Sequence, residues 1–371
     1  MRYFIKEDDI EQELIDVCMN ELHYDHHFDC MNIDHLHRKN EVEVLNLDVL
    51  RQAIRSVNNE ATDRPQGMTD AEVEQAIDAI RASDLNVDGH ILNQRILTTI
   101  ISGCRMQVLQ SNGHKELRTV HYIDWKEGNA DNNQFDVINQ LWIQGQVYRL
   151  RPDVIVYING IPLVTIELKD SNIPVREAYD NNLTRYKAAI PQIMAYNAFL
   201  VASNATKTRL GSTFADWTYF SPWFRASEDE KADKEQLEAD KTTLDAMARS
   251  LLKKENLLNY IANYILFYKG TNKICAKNHQ FLGVNRAVER FRYLQFGKPK
   301  ADEQGKMGVF WHTQGSGKSF SMVFLARYLK NRFQGNYTFL VITDREDLDD
   351  QIYRNFLHSG FMSEQEDCRP Q

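Results

Sequence analysis

The stretch Arg151–Asp170, RPDVIVYINGIPLVTIELKD, constrains the fold more than any other part of the sequence. Two runs of β-branched and large apolar residues flank Asn159-Gly160, the pattern of a buried β-hairpin. Asp153 stands at the mouth of the first run, and Glu167 and Lys169 close the second. Burying an unpartnered carboxylate or ammonium costs several kcal/mol. Three such groups at one end of an apolar hairpin need a reason.

Register decides whether they meet. A two-residue loop of Asn159 and Gly160 would pair Ile158 with Ile161 and Asp153 with Ile166, sending Asp153 and Glu167 to opposite faces. A three-residue loop, Asn159 to Ile161, sets Asp153 opposite Glu167. It leaves one face wholly apolar (Val154, Val156, Ile158, Val164, Ile166, Leu168) and gathers Asp153, Glu167 and Lys169 on the other. The three-residue loop is the expected one.

On that face two carboxylates from paired strands can hold a hard divalent cation such as Mg²⁺, which prefers oxygen ligands. The cation polarises a phosphodiester and helps generate hydroxide. Lys169 lies on the same face as Glu167 and can orient the attacking water or steady phosphate charge. The competing reading is a strand end with ordinary solvated charges.

The arrangement resembles the PD-(D/E)xK nuclease site, here Pro152-Asp153 and Glu167-Leu168-Lys169. Ser171–Ala189 then reads as a helix with Pro174 near its start, placing Asn182 and Tyr186 on one face. TVHYIDW and NNQFDVINQLWI upstream read as strands. Together these resemble the N-terminal nuclease domain of the restriction (R) subunit of type I restriction–modification enzymes, from about Glu11 to the C-terminus. The resemblance implies supporting roles for Asn182 and Tyr186, where the family usually carries Gln-x-x-x-Tyr; Asn182 is one methylene shorter. It also matches Glu11, in IEQELI, to an acidic residue on the family's first helix. Otherwise Glu11 is an exposed charge on an amphipathic helix.

At 371 residues the chain can form two or three domains. Its net charge of −8 disfavours a protein that relies on non-specific attraction to phosphate. Other subunits are therefore expected to deliver the DNA. The start, MRYFIKEDDIEQE, is too charged for a signal peptide, and no apolar run approaches membrane-spanning length. Five scattered cysteines without a CxxC pair suit a reduced, cytoplasmic protein. His23, His26, His27, His35 and His37, with Cys30 among them, are spaced too irregularly for a zinc set. They read as a polar surface insertion, and no metal is assigned there.

Helices are predicted at Ile10–Leu22, Leu47–Val57, from Thr69 behind a Thr69-x-x-Glu72 capping box, and through Ile91–Ser102. A strand-rich core follows over residues 105–169, then the strand AFLVAS. Ser227–Lys241 is a mixed-charge run that reads as a solvated helix or linker, and LLKKENLLNYIANYILF as a helix. The division expected is residues 1–226 for a nuclease domain, 227–270 for a helical connector and 271–371 for the first part of a motor domain.

In GVFWHTQGSGKSFSMVFLARYL, Gly308–Trp311 reads as a short buried strand, His312–Gly317 as a loop and Lys318 onward as a helix, the context of a phosphate-binding loop. Amides of Thr313, Gln314, Gly315, Ser316 and Gly317 would cradle phosphate. Lys318 would reach the β- and γ-phosphates, and Ser319 would ligate Mg²⁺. His312 replaces the first glycine of the usual pattern. A strand at Tyr337–Asp344 would complete a βαβ unit in a parallel sheet. The resemblance implies that Asp344-Arg345 opens a motor motif and that Gln280 reads the adenine edge; otherwise Gln280 is an exposed helix residue. No apolar strand ending in Asp-Glu follows Asp344, so the chain reads as truncated before Walker B, the first part of a longer protein.

The expected fold class is α/β: a PD-(D/E)xK nuclease-like mixed sheet with flanking helices, then a partial RecA-like P-loop domain. By resemblance, the full protein uses Mg²⁺ and ATP to cleave unmodified foreign double-stranded DNA after translocation, in complex with modification (methyltransferase) and specificity subunits. The isolated chain is not expected to turn over ATP. Two rivals are a stand-alone nuclease with a regulatory P-loop domain and a catalytically silent docking fragment.

Overall fold

The computed structural model describes residues 4–28, 38, 40–82, 85–227 and 242–363. Runs without polar alternation belong to strands covered on both faces, and the hairpin obeys this. A seven-stranded sheet runs, in spatial order, β1 (Asp25–Phe28), β2 (Phe135–Asn139), β3 (Val154–Ile158), β4 (Ile161–Leu168), β5 (Phe199–Ser203), β6 (Thr208–Gly211) and β7 (Ser221–Pro222). Every residue of β3 and β4 is buried. The sheet is mixed, since β1–β2 and β4–β5 pair in parallel and the other neighbours are antiparallel.

The three-residue loop is corrected. Ile158 pairs with Ile161, so Asn159 and Gly160 alone make the turn, both left-handed at φ 52° and 78°. That is the two-residue geometry an Asn-Gly pair favours. Beyond it the register slips: Tyr157 opposes Pro162, but Val156 opposes Val164, leaving Leu163 as the extra residue of a bulge. Pro162 has no N–H for the ladder, and bulges are where central strands accept proline. The bulge supplies the offset that was ascribed to the loop, and Val154 pairs with Ile166. The facing of Asp153 and Glu167 survives on a different physical basis.

Helix α1 (Glu7–Asp16) packs on β4. Helices α2 (Leu47–Val57), α3 (Asp70–Ile80) and α4 (Gly89–Ser102) pack in succession, and the Thr69–Glu72 capping box forms as expected. The helix expected over 174–189 forms from Arg176 to Ala189, with a π-helical turn, Ala178–Leu183, leading into α5 (Thr184–Ala189). Of the helix expected over 251–267 only α7 (Lys254–Asn263) forms, preceded by a separate α6 (Thr243–Leu251), and the aromatic Ile265–Tyr268 pairs as a hairpin with Asn272–Cys275. This segment is knit into the N-terminal core: Tyr24 Oη donates to the Leu252 carbonyl at 2.6 Å, and Trp223 Nε1 to Ser250 Oγ at 3.1 Å.

The histidine stretch is also corrected in part. Asp25–Phe28, with His26 and His27, forms β1 on the sheet edge, because Tyr24 anchors it in the core and β2 offers a free edge. His35, His37 and Cys30 lie outside the described residues.

After α8 (Asn278–Phe296) come α9 (Lys318–Arg332) and α10 (Glu346–His358). The strands expected at Gly308–Trp311 and Tyr337–Asp344 do not form. Val309, Trp311, Leu340 and Ile342 are 94%, 79%, 82% and 84% exposed. Parallel strands need neighbours and covering helices on both faces, and the described residues supply these segments with neither.

Candidate active site

Asp153 lies just before β3 and is 6% exposed; Glu167, near the end of β4, is fully buried. Asp153 Oδ2 accepts the Leu168 amide at 2.7 Å, which locks the carboxyl against the neighbouring strand. Glu167 Oε2 accepts from the Tyr186 hydroxyl at 2.9 Å, and its Oε1 is 3.4 Å from Lys169 Nζ. Lys169 also bonds the Leu168 carbonyl and stands 3.5 Å from Glu7. All three residues read from the hairpin come together.

Burial sets the electrostatics. Desolvation, opposed by the Leu168 amide and Lys169, lifts the Asp153 carboxyl to about 6. Desolvation and the neighbouring Asp153 charge push Glu167 well above the ordinary carboxylate range. Burial acts against the Lys169 charge, yet Glu167, Asp153 and Glu7 outweigh it and hold its pKa above normal. Both shifts favour the protonated carboxyls relative to ordinary ones, so a cation binding there would compete with protons.

The donors are all oxygen, and among the described residues Asp153 Oδ1 bonds only the Gln140 amide, at 3.5 Å. Among the described residues no set of three or more His, Cys, Asp and Glu side chains forms a metal cage. A two-carboxylate site completed by water and phosphate suits Mg²⁺, so the residues present fit that ion.

Tyr186 is buried and links Glu167 to the Arg151 carbonyl, at 3.4 Å. Asn182 acts on the Tyr186 hydroxyl, which in turn bonds Glu167. Glu11 is half-buried and reaches the site: Oε1 accepts from Asn139 at 2.7 Å, and Oε2 from Gln140. Three residues were missed. Glu7 lies one turn before Glu11 on the same face of α1, and desolvation raises its pKa. That i,i+4 spacing was legible. Asn139 links His26, at 2.9 Å, to Glu11. Gln140, left-handed at φ 57°, donates its backbone amide to the Asp153 carbonyl at 2.8 Å while its side chain bridges Glu11 and Asp153. No local signal marks Asn139 or Gln140.

In the phosphate-loop segment, Gly315 and Gly317 take the left-handed φ values of 78° and 94° that a tight loop needs. Lys318 Nζ folds back onto the carbonyls of His312, 2.8 Å, and Thr313, 3.3 Å. Gln280 is buried against the loop, donating to the Gly317 carbonyl at 2.9 Å and accepting from the Lys277 amide at 2.8 Å. It is not an exposed helix residue, and its amide is engaged at both ends. Thr313, Gln314 and Gly315 are exposed, and Ser316 and Ser319 half-exposed. Asp344 and Arg345 lie exposed before α10, 3.9 Å apart, and no described hydrogen bond or ion pair joins them to the loop.

Residues 4–219 match the family model described as Type I restriction enzyme R protein N terminus. Residues 279–369 match the SWI2/SNF2 ATPase model. The chain is 34% identical over 324 residues to the type I restriction enzyme HindI endonuclease subunit of Haemophilus influenzae, an alignment covering 84% of this chain and 29% of that protein. It is 34% identical over 304 residues to the putative type I restriction enzyme MjaIXP endonuclease subunit of Methanocaldococcus jannaschii, covering 76% and 28%. The chain thus spans less than a third of the length of these relatives. No helix among the described residues is long and apolar enough to cross a membrane.

Proposed function

The chain belongs to the type I restriction enzyme R protein family, and from that premise we propose that Asp153, Glu167 and Lys169 form a Mg²⁺-dependent DNA-cleaving site. The observation that carries this is the burial of two carboxylates from adjacent strands around one lysine, an arrangement costly to stability unless it is used. Asp153 and Glu167 would hold the cation, which when bound polarises the phosphodiester and favours hydroxide formation. Lys169 is placed to orient the attacking water and steady phosphate charge. Tyr186 and Asn182 fix the Glu167 rotamer; Gln140 and Glu11 fix Asp153.

Residues 271–371 are proposed as the first part of a nucleotide-driven motor, with Lys318 and Ser319 on phosphate and Mg²⁺, the loop residues 313–317 as the cradle, and Gln280 and Asp344-Arg345 as motor-motif positions. The family match over 279–369 supports ATP as its nucleotide. In the whole protein, cleavage of unmodified double-stranded DNA would follow translocation, with modification and specificity subunits as partners. The division at about 226 and 270 belongs to the same proposal.

The test is calorimetric titration of the chain with Mg²⁺ in buffers of different ionisation enthalpy, beside cleavage by the complete assembly. Binding with proton release, lost in Asp153→Asn and Glu167→Gln together with cleavage, is the expected result. Mg²⁺ binding unchanged in both variants overturns the assignment.

A further inference from the structure

A groove of about 620 Å³ opens along α5, the helix that carries Tyr186. Its floor carries Arg185 and Lys187, one residue to either side of Tyr186, whose hydroxyl bonds Glu167. One wall is the approach to α4, with Val87 and His90; the other is the tip of the short hairpin Ile143–Gln144/Arg149–Leu150, with Val147 and Tyr148. That tip is held firmly. Gln192 donates to the Gln144 carbonyl at 2.8 Å, and Gly145 N to the Tyr148 carbonyl at 2.8 Å. A Cβ on Gly145 would fall 1.8 Å from the Ala189 carbonyl, so only glycine lets the tip sit this close to α5. Yet Val147 is 77% and Tyr148 54% exposed on this braced loop. The two side chains form an apolar rim on the groove.

The charges around them are positive. The Arg185 guanidinium lies 5.3 Å from the Tyr148 ring, and that of Arg151 lies 5.2 Å from the Trp142 ring on the same hairpin. Neither pairs with a described carboxylate. Lys187 donates to the Ala215 carbonyl at 3.3 Å and sits 4.9 Å from the Tyr179 ring. Among nearby acids, Asp88 is engaged by the first amides of α4 at 2.8 and 3.4 Å, Glu41 is matched by Arg149 at 2.6 Å, and Asp216 acts on Lys187.

We propose that this groove binds single-stranded nucleic acid, a short unpaired length of a DNA strand, with bases against Tyr148 and against Phe214, which lines the groove beside His90 at a ring separation of 4.5 Å, and phosphates on Arg185 and Lys187. The choice of a single strand follows from the lining. A duplex hides its base faces and offers mainly phosphate, which calls for a broad basic surface. This groove offers two cations among apolar and aromatic side chains, which suits unstacked bases. The inference rests on the nuclease reading for its purpose, since Arg185 and Lys187 flank in sequence Tyr186, whose hydroxyl bonds Glu167.

The test uses the intact chain in EDTA with a fluorescein-labelled oligothymidine of about 12 nucleotides and a blunt duplex of equal length, read by anisotropy over a range of salt. The single strand is expected to bind about tenfold more tightly than the duplex. Tyr148→Ala should weaken it about tenfold without changing the salt dependence. Arg185→Ala should also lower the slope of log affinity against log salt by about 0.7, whereas Arg105→Ala, on another hairpin, should change neither affinity nor slope. Equal binding of duplex and single strand, no binding at low salt, or wild-type behaviour of Tyr148→Ala and Arg185→Ala overturns the proposal. Both exposed residues can be replaced without unfolding the chain. Because binding is read without metal, failure of the groove leaves Mg²⁺-dependent cleavage standing, and failure of cleavage leaves the groove standing.

Discussion

Lys169 and Lys318 both stand beside the chemistry proposed for their segments, and they are held in opposite ways. Lys169 faces Glu167 and Glu7 at 3.4 and 3.5 Å from the end of a fully buried strand. Lys318 turns back on two carbonyls of its own loop, and the segments flanking that loop expose Val309 and Leu340 almost completely. The first lysine is positioned by Glu167, by Glu7 of α1 and by the Leu168 carbonyl before any ligand arrives. Among the described residues, the second is hydrogen-bonded only to its own turn. Preorganised polar groups are what stabilise developing charge, so the carboxylate site has the geometry of a finished centre and the phosphate loop that of an unfinished one.

The sharpest way to break this comparison is to remove the finished centre's groups singly. Asp153→Ala, Glu167→Ala and Lys169→Ala are each expected to lower DNA cleavage by the complete assembly by at least about 10²-fold, with circular dichroism unchanged. Near-normal cleavage in any one of them would return that residue to the status of an ordinary strand-end charge.

A second experiment turns on stability. Both carboxyls titrate above their unfolded values, so the native state binds more protons than the unfolded state and stability is lost as pH rises. For Asp153 the penalty is absent below about pH 4, grows through about 6 and is complete above it. Asp153→Asn keeps an acceptor for the Leu168 amide while removing the charge. Metal-free Asp153→Asn should therefore be more stable than the parent at pH 7.5 by about 2–3 kcal/mol, and equally stable near pH 3.5. Added Mg²⁺ should stabilise the parent and not the variant. A variant less stable than the parent at pH 7.5 would mean that the carboxylate contributes to the fold.

These residues were legible because each is a polar exception inside a run whose period is otherwise clear. Asp153, Glu167 and Lys169 interrupt apolar strands, and Thr69 and Glu72 carry their cap within four residues. The bulge was half-legible: Pro162 in a central strand announces one, but the offset was assigned to the turn. What failed depends on distant partners. Asp25–Phe28 becomes a strand only because β2 offers an edge, and Gly308–Trp311 fails to become one because no described strand lies beside it.

Gln140 belongs with the illegible residues, and it permits a finer test of preorganisation. Its left-handed backbone costs about 1–2 kcal/mol in a non-glycine residue, a cost borne where its amide joins Glu11 to Asp153. Gln140→Gly relieves the strain and Gln140→Ala does not, while both delete the amide. Cleavage should fall by about tenfold in both, and denaturant titration should find the glycine variant the more stable, by about 1 kcal/mol. Full cleavage by Gln140→Ala would show that Leu168 alone orients Asp153.

The smallest effect is expected at the phosphate loop. Before nucleotide can engage Lys318, its bonds to the His312 and Thr313 carbonyls must break, and charged hydrogen bonds contribute about 1.5–3 kcal/mol each. Among the described residues no carboxylate bonds Lys318 or Ser319, and Asp344 stands exposed near Arg345 rather than at the loop. Phosphoryl transfer depends on such groups for positioning and charge, an arginine finger alone contributing about 10³–10⁵ in rate. Binding requires only the loop amides and Lys318, whereas turnover requires the rest. The chain should therefore bind ATP weakly with Mg²⁺, lose that binding in Lys318→Ala, and release no phosphate above background even with DNA present. A steady-state phosphate-release assay decides it. Turnover that disappears in Lys318→Ala would show that the loop's catalytic partners lie within these 371 residues, and the contrast between the two lysines would then be one of conformation and not of completeness.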